Sequence, residues 1–374
     1  MTGGVEAPRV GRVRRPIVPE VWIIAVAIAS SALVYLPFRS NLRTLARYWD
    51  GPSYLTIARD GYHAAPDNPL ASDPAKPPFY LAHLPAYPAL VRLLSFLGYE
   101  RALLAASVAS AALAGIVFFR LARDVWKLDS PLYLSLVFLF ATPRWLLYRS
   151  VAASEPLFLA LALIAVLAFE RERFLSASLA GALATLTRPV GVLIYPAFAL
   201  VLFLRGRRRE QLFLLAIPAA LAGYLLFCQQ RFGSAGAMVE PNLDRFSSLV
   251  PFHVLGWLLQ QVLTHQAEFY ILLALVYAVG ILRLGAFPVP LAYAAFQFAF
   301  VLIVGSEDWS RFFLPVMPFA LVLGFREILD TWAFRCVLPV LVILETYYAW
   351  NVIPRNLCPP DLYGKILTYL RLTP

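Results

Sequence analysis

Residues 9–38 read RVGRVRRPIVPEVWIIAVAIASSALVYLPF: four arginines, then an apolar run long enough to cross ~30 Å of hydrocarbon as a helix. Similar runs recur along most of the 374 residues, 60% of which are hydrophobic and only 14% charged. A soluble chain carries roughly a quarter charged residues. With a mean hydropathy of +0.70, the chain is expected to be an all-α polytopic membrane protein, with residues 1–374 forming one integral membrane domain. Continuous rather than alternating apolar runs exclude a β-barrel.

The formal net charge is +10. Its arginines cluster between apolar runs, which reads as a topology signal and as contact with lipid head groups, and argues against a nucleic-acid partner. Arg9, Arg12, Arg14 and Arg15 place residues 1–15 as a cytoplasmic tail and make the first run an uncleaved anchor. Cys228, Cys336 and Cys358 are too few and too scattered for a disulfide framework or a metal site, and read as ordinary residues packed among helices.

Eleven spans are expected, with an uncertainty of about one. They cover about 16–38, 103–119, 132–148, 155–169, 175–186, 190–204, 212–227, 269–282, 287–304, 312–325 and 337–350. With the first starting inside, the even-numbered spans must end in the cytoplasm. Their ends carry Arg120/Arg123/Lys127, ERER (170–173), RGRRR (205–209), Arg283 and Arg326/Arg335, so every basic cluster falls on the required side. Residues 39–99 then form a first extracytoplasmic loop, with Pro66, Pro69, Pro74, Pro77 and Pro78 marking irregular chain and residues 84–97 a short interfacial or re-entrant helix. Residues 100–353 hold the remaining spans, and 354–374 an extracytoplasmic tail.

Within that loop, residues 43–62 read RTLARYWDGPSYLTIARDGY. Asp50 beside Trp49 could act as a general base at the membrane surface, or cap a helix ahead of Pro52. Trp49, Tyr48 and Tyr54 could equally be belt aromatics. Arg188 in TRPVG, the loop after the seventh span, and 307–311 (Glu307 to Arg311) fall on the same face as Asp50, so the suspect polar residues converge.

The pattern Trp49-Asp50, Tyr54-Leu55, Ile57-Ala58, Gly61-Tyr62 resembles the signature of PIG-V-type mannosyltransferases, members of the GT-C superfamily of membrane glycosyltransferases. Pro85-Ala86-Tyr87-Pro88 fits a Pro-x-Tyr-Pro segment of that family. The sequence departs from it in Tyr48, where Arg or His is common, and in Gly51-Pro52, where Ser and a variable residue are usual. The resemblance is specific over residues 47–92 and implies a GT-C fold. It also implies an inverting transferase that moves a sugar, mannose, from a polyprenyl-phosphate donor to an acceptor hydroxyl, with Asp50 as catalytic base. The acceptor, a glycan, lipid or protein, is left open.

A leaving phosphate needs cations, and the resemblance points to Arg188 and to Arg311 in SRFFLP; the guanidinium fork matches phosphate oxygens, although both could be snorkelling helix-end arginines. Glu155, in Ser-Glu-Pro, reads as a helix start or a site acid. Glu307 and Asp308 could bind a divalent cation or the acceptor, or be solvated. Tyr62, His83 and Arg92 are further candidates for the substrate pocket, with Trp49 and Tyr54. His253 and His265 have no ligand spacing, so no metal site or cofactor is expected. Short loops suggest a prokaryotic plasma membrane. The rival functions are a transporter or flippase of a lipid-linked saccharide and a non-catalytic subunit of the same fold; the absence of an internal repeat disfavours the transporter.

Overall fold

The computed structural model describes residues 18–63, 65, 67–71, 77–240, 256, 259, 264–303 and 308–372. Among them there is no strand; an isolated antiparallel bridge joins Tyr48 to Leu357. Among the described residues, five helices are long and apolar enough to cross a membrane: Pro19–Phe38, Tyr99–Val125, Arg208–Phe232, His265–Leu282 and Trp332–Arg355. Phe174–Thr185, Pro189–Leu204 and Pro288–Ile303 are apolar but shorter. The chain is an all-α polytopic membrane protein, and each of the eleven expected spans is helical at least in part.

The Tyr99–Arg120 helix is the axis of the packing, touching Pro19–Tyr35 and Glu155–Glu170. Its buried face is mostly small: Ala102, Ala106, Ser107, Ser110, Ala111, Ala114 and Gly115. Helices in lipid gain little from hydrophobic burial against one another, and small residues let their backbones approach closely enough for dispersion to hold them.

Two expected spans are not continuous helices. The stretch 132–148 divides into Pro131–Leu139 and Pro143–Tyr148, because Pro143 cannot donate to a preceding turn and Thr142 caps the new helix by accepting from the Trp145 amide at 3.2 Å. The break frees the Leu139 carbonyl, and fully buried Arg149 answers it with Nε at 3.2 Å while Nη2 donates to Ser30 at 2.8 Å. The stretch 312–325 is broken likewise: a single turn, Trp309–Phe312, precedes a π-helical segment, Pro318–Leu323. Pro315 and Pro318 each remove an amide donor there.

The described residues between the first two spans form a layer at the helix ends. Gly51–Asp60 packs on Ala86–Leu93 and Tyr99–Arg120, and the stretch expected as an interfacial or re-entrant helix, 84–97, is α-helical over Ala86–Leu93. The stretch expected as a tail instead forms a helix, Pro360–Tyr369, docked on Gly51–Asp60 through Tyr369, whose hydroxyl donates to Asp60 at 2.6 Å. The cysteines are unpaired; only Cys228 is buried among helices, with Cys336 exposed and Cys358 half-buried.

Candidate active site

Asp50 stands directly before the Gly51–Asp60 helix, but its side chain makes no capping bond. It turns into the protein and is 9% exposed. Gly51 permits this: a Cβ there would lie 2.0 Å from the Ala46 carbonyl oxygen, so no other residue fits between Asp50 and the preceding turn. The departure from the PIG-V-type pattern at Gly51 thus has a local steric cause. Trp49 pays in backbone strain, with φ of +41°, a left-handed conformation that costs a bulky residue about 1–3 kcal/mol. Its amide donates to the Asn356 carbonyl at 2.9 Å, which holds it there.

Arg311 Nη2 donates to Asp50 Oδ2 at 2.8 Å, and His83 Nε2 lies 3.1 Å from Asp50 Oδ1. Burial works to raise the carboxyl's pKa, but Arg311 and His83 outweigh it and hold the group below the ordinary carboxylate range. Arg311 also donates through Nε to Glu155 Oε1, which accepts from Arg188 Nη1 at 2.7 Å as well. Glu155 is the first residue of the Glu155–Glu170 helix and is 2% exposed. Two arginines hold it, so its carboxylate is engaged beyond the start of the helix. Two acids and two arginines therefore form one chain: Asp50, Arg311, Glu155, Arg188.

These four residues line a cavity of about 390 Å³, together with Trp49, Tyr54, Phe79, His83 and Ser154. The rest of the wall is mainly apolar, including Phe158, Leu159, Val190, Leu193, Leu221 and Phe312. Tyr54 donates to Ser154 at 2.7 Å and meets the His83 ring edge-on at 4.9 Å. Polar capacity remains: Glu155 Oε2 and His83 Nδ1 have no partner among the described residues, and the hydrogen bonds of Arg188 all use Nη1. Gly191 lets the turn after Arg188 fold tightly, since a Cβ there would sit 2.6 Å from the Thr185 amide nitrogen.

Of the other sequence candidates, Tyr62 supports the site from behind, its hydroxyl donating to the His83 carbonyl at 2.7 Å; it does not line the cavity. Arg92 is exposed on the Ala86–Leu93 helix, away from the cavity wall. Asp308 pairs with Arg144 at 2.8 Å and accepts from the Tyr148 hydroxyl at 2.8 Å, so it braces the site and does not face the cavity. Glu307 lies outside the described residues. Among the described residues, no three His, Cys, Asp or Glu side chains converge as metal ligands; the two cavity acids both face Arg311.

The sequence reading missed Tyr148 and Arg144. The Arg311 guanidinium lies 4.8 Å from the Tyr148 ring, and Arg144 fixes the acid that holds Tyr148. The available signal was an arginine inside a presumed span, PRWLLYRS, since charges at membrane depth are seldom idle.

No family model matches the sequence, and no curated protein matches it. Solved structures do. ArnT from Cupriavidus metallidurans, bound to undecaprenyl phosphate, is 13% identical with a TM-score of 0.55, over 94% of this chain and 75% of that one. The oligosaccharyltransferase AglB from Archaeoglobus fulgidus, in complex with an inhibitory peptide and a dolichol-phosphate, is 14% identical with a TM-score of 0.50. That match covers 94% of this chain but only 60% of AglB. Both are GT-C glycosyltransferases, and the chain has the GT-C fold.

Proposed function

We propose that the chain is an inverting glycosyltransferase that takes a sugar from a polyprenyl-phosphate donor and places it on an acceptor hydroxyl. The observation that carries this reading is the buried chain Asp50–Arg311–Glu155–Arg188 in the wall of a largely apolar cavity. An apolar cavity suits an isoprenoid, guanidinium groups suit its phosphate, and a carboxylate suits proton removal. The lipid phosphates bound by ArnT and AglB, in the same fold, favour this donor class.

In the reaction, the acceptor oxygen bonds to the anomeric carbon as its proton passes to Asp50. The bond from that carbon to the phosphate oxygen breaks, and the electron pair leaves on the lipid phosphate. Arg188, whose Nε and Nη2 have no hydrogen-bond partner among the described residues, meets the phosphate first. Arg311 shifts toward it as charge develops. Drawing Arg311 away from Asp50 removes the main cation that lowers its pKa, so donor binding strengthens the base. Glu155 keeps the two arginines apart and oriented.

The resemblance of residues 47–62 to the PIG-V-type signature supports mannose as the donor sugar, the arginine bias supports a site on the extracytoplasmic face, and the short loops support a prokaryotic plasma membrane. The test is purified full-length protein in nanodiscs with radiolabelled polyprenyl-phosphate-mannose. Wild type should release polyprenyl phosphate, and Asp50→Asn should not. Equal release by both would remove Asp50 from the mechanism; retention of donor by wild type under all acceptor conditions would remove the transferase reading.

A further inference from the structure

Asp50 borders a second cavity, of about 360 Å³, whose wall is made by Trp49, Phe79 and the segment Arg355–Cys358. Trp49, Asp50 and Phe79 belong to both cavities, so the carboxylate stands between two spaces of different character. The first is mainly apolar apart from the Asp50–Arg311–Glu155–Arg188 chain. The second offers an indole, a phenyl ring, the Arg355 guanidinium and peptide groups, in a volume typical of small-ligand pockets.

The Arg355–Cys358 segment is tied to the backbone that carries Asp50. Arg47 donates through Nη2 and Nε to the Cys358 carbonyl at 2.6 and 3.1 Å, and the Cys358 amide donates to the Arg47 carbonyl at 2.9 Å. With the Trp49–Asn356 bond and the Tyr48–Leu357 bridge, the two segments form a short clamp. The clamp engages the Trp49 and Cys358 amides and the Arg47, Asn356 and Cys358 carbonyls, and Trp49, Phe79 and Arg355 supply side chains around the cavity. Trp49 and Phe79 are 42% and 41% exposed, so each ring has a face available beside the buried acid.

We infer that this second cavity is the acceptor site and that the acceptor is a sugar ring, at the end of a glycan or a glycolipid head group. This rests on the transferase reading above. A pyranose presents an apolar C–H face to Trp49 or Phe79 and hydroxyls to Arg355. One hydroxyl can then point at Asp50, which takes its proton while the oxygen bonds to the anomeric carbon held in the first cavity and the phosphate leaves with the bonding electrons. The left-handed backbone at Trp49 has a purpose in this arrangement: it turns the ring into the shared wall.

Cys358 reports on the cavity directly. Burial raises its thiol pKa, so labelling by a maleimide is followed at mildly alkaline pH, in full-length protein carrying Cys336→Ser, with Cys228 buried. Methyl α-D-mannopyranoside and methyl α-D-glucopyranoside represent a soluble sugar; nanodiscs containing a glucosyl diacylglycerol represent a glycolipid. Either is expected to slow labelling several-fold and saturably, the source being the one effective at the lower concentration. Trp49→Ala and, independently, Arg355→Ala should abolish the protection. The inference is overturned if no sugar slows labelling, or if undecaprenyl phosphate or a serine/threonine peptide slows it as strongly. No donor is present in the measurement, so failure of sugar binding and failure of transfer are separate results.

Discussion

Arg311 and Glu155, 156 residues apart in sequence, are joined through Arg311 Nε and Glu155 Oε1, while the same guanidinium reaches Asp50 with Nη2 at 2.8 Å. One planar fork therefore bridges both acids of the cavity. A lysine cannot do this, because its ammonium is a point charge on a flexible stem. Arg311→Lys should reduce transfer by about 10²–10³-fold, the usual loss for one preorganised electrostatic partner. Single-turnover release of polyprenyl phosphate would measure it, and a loss under tenfold would argue against the bridge. Arg311→Ala should also lower the melting temperature, since breaking a buried pair costs about 3–5 kcal/mol.

The depressed pKa of Asp50 makes a claim about acid stability. A carboxylate whose native pKa lies below its unfolded value stabilises the native state above the unfolded value, near 4, and loses that contribution as pH falls through the native one. The difference in melting temperature between wild type and Asp50→Asn should thus stay constant from pH 8 to about 5 and begin to shrink below about 4. A difference that already shrinks between pH 7 and 5 would mean that Arg311 does not hold Asp50 as described.

Gly51 and Gly223 give a matched pair. Gly51→Ala would place a Cβ 2.0 Å from the Ala46 carbonyl oxygen, whereas nothing lies within 4 Å of one at Gly223. Displacing the Asp50 backbone by about 1 Å should cost on the order of 10²-fold in transfer. Gly223→Ala, inside the Ala216–Phe232 helix, should leave transfer intact and add up to about 1 kcal/mol of stability. Equal activity in the two variants would contradict the steric argument.

Glu155→Gln keeps the shape but removes the charge shared by Arg188 and Arg311. Undecaprenyl phosphate should bind several-fold more tightly, because the arginines lose a competing anion. Transfer should fall, because Arg311 then settles on Asp50. Calorimetric titration with the lipid phosphate, run beside the transfer assay, separates the two effects; weaker binding by the variant would reverse the assigned role of Glu155.

Much of this was legible in the chain. Continuous apolar runs fixed the class, and positive-charge bias put Asp50, Arg188 and Arg311 on one face, while Glu155 in Ser-Glu-Pro read as a helix start or a site acid. What could not be read were relations without a sequence period. Asp50 meets Arg311 across 261 residues, and no pattern in either neighbourhood encodes that contact. The break at residues 140–142 was hidden because both half-helices are apolar and one proline decides it. Tyr62 and Arg92 drew attention by type, although one acts on the His83 backbone and the other stands exposed. The Arg355–Cys358 segment drew none, because its role comes from backbone pairing with residues 47–49.

The Phe174–Thr185 helix has 12 residues, a rise of about 18 Å, against a hydrocarbon layer of about 30 Å. Its outer face, Leu175, Leu179 and Leu183, is exposed. A short helix that faces lipid draws the bilayer thin around it. Arg188 lies three residues beyond its end, so a bilayer thinned there would bring the water boundary toward the cavity on that flank. A lipid carrier arriving there would bring its phosphate to Arg188 without leaving the plane of its neighbours' head groups, and the rate of entry should rise in bilayers of shorter acyl chains.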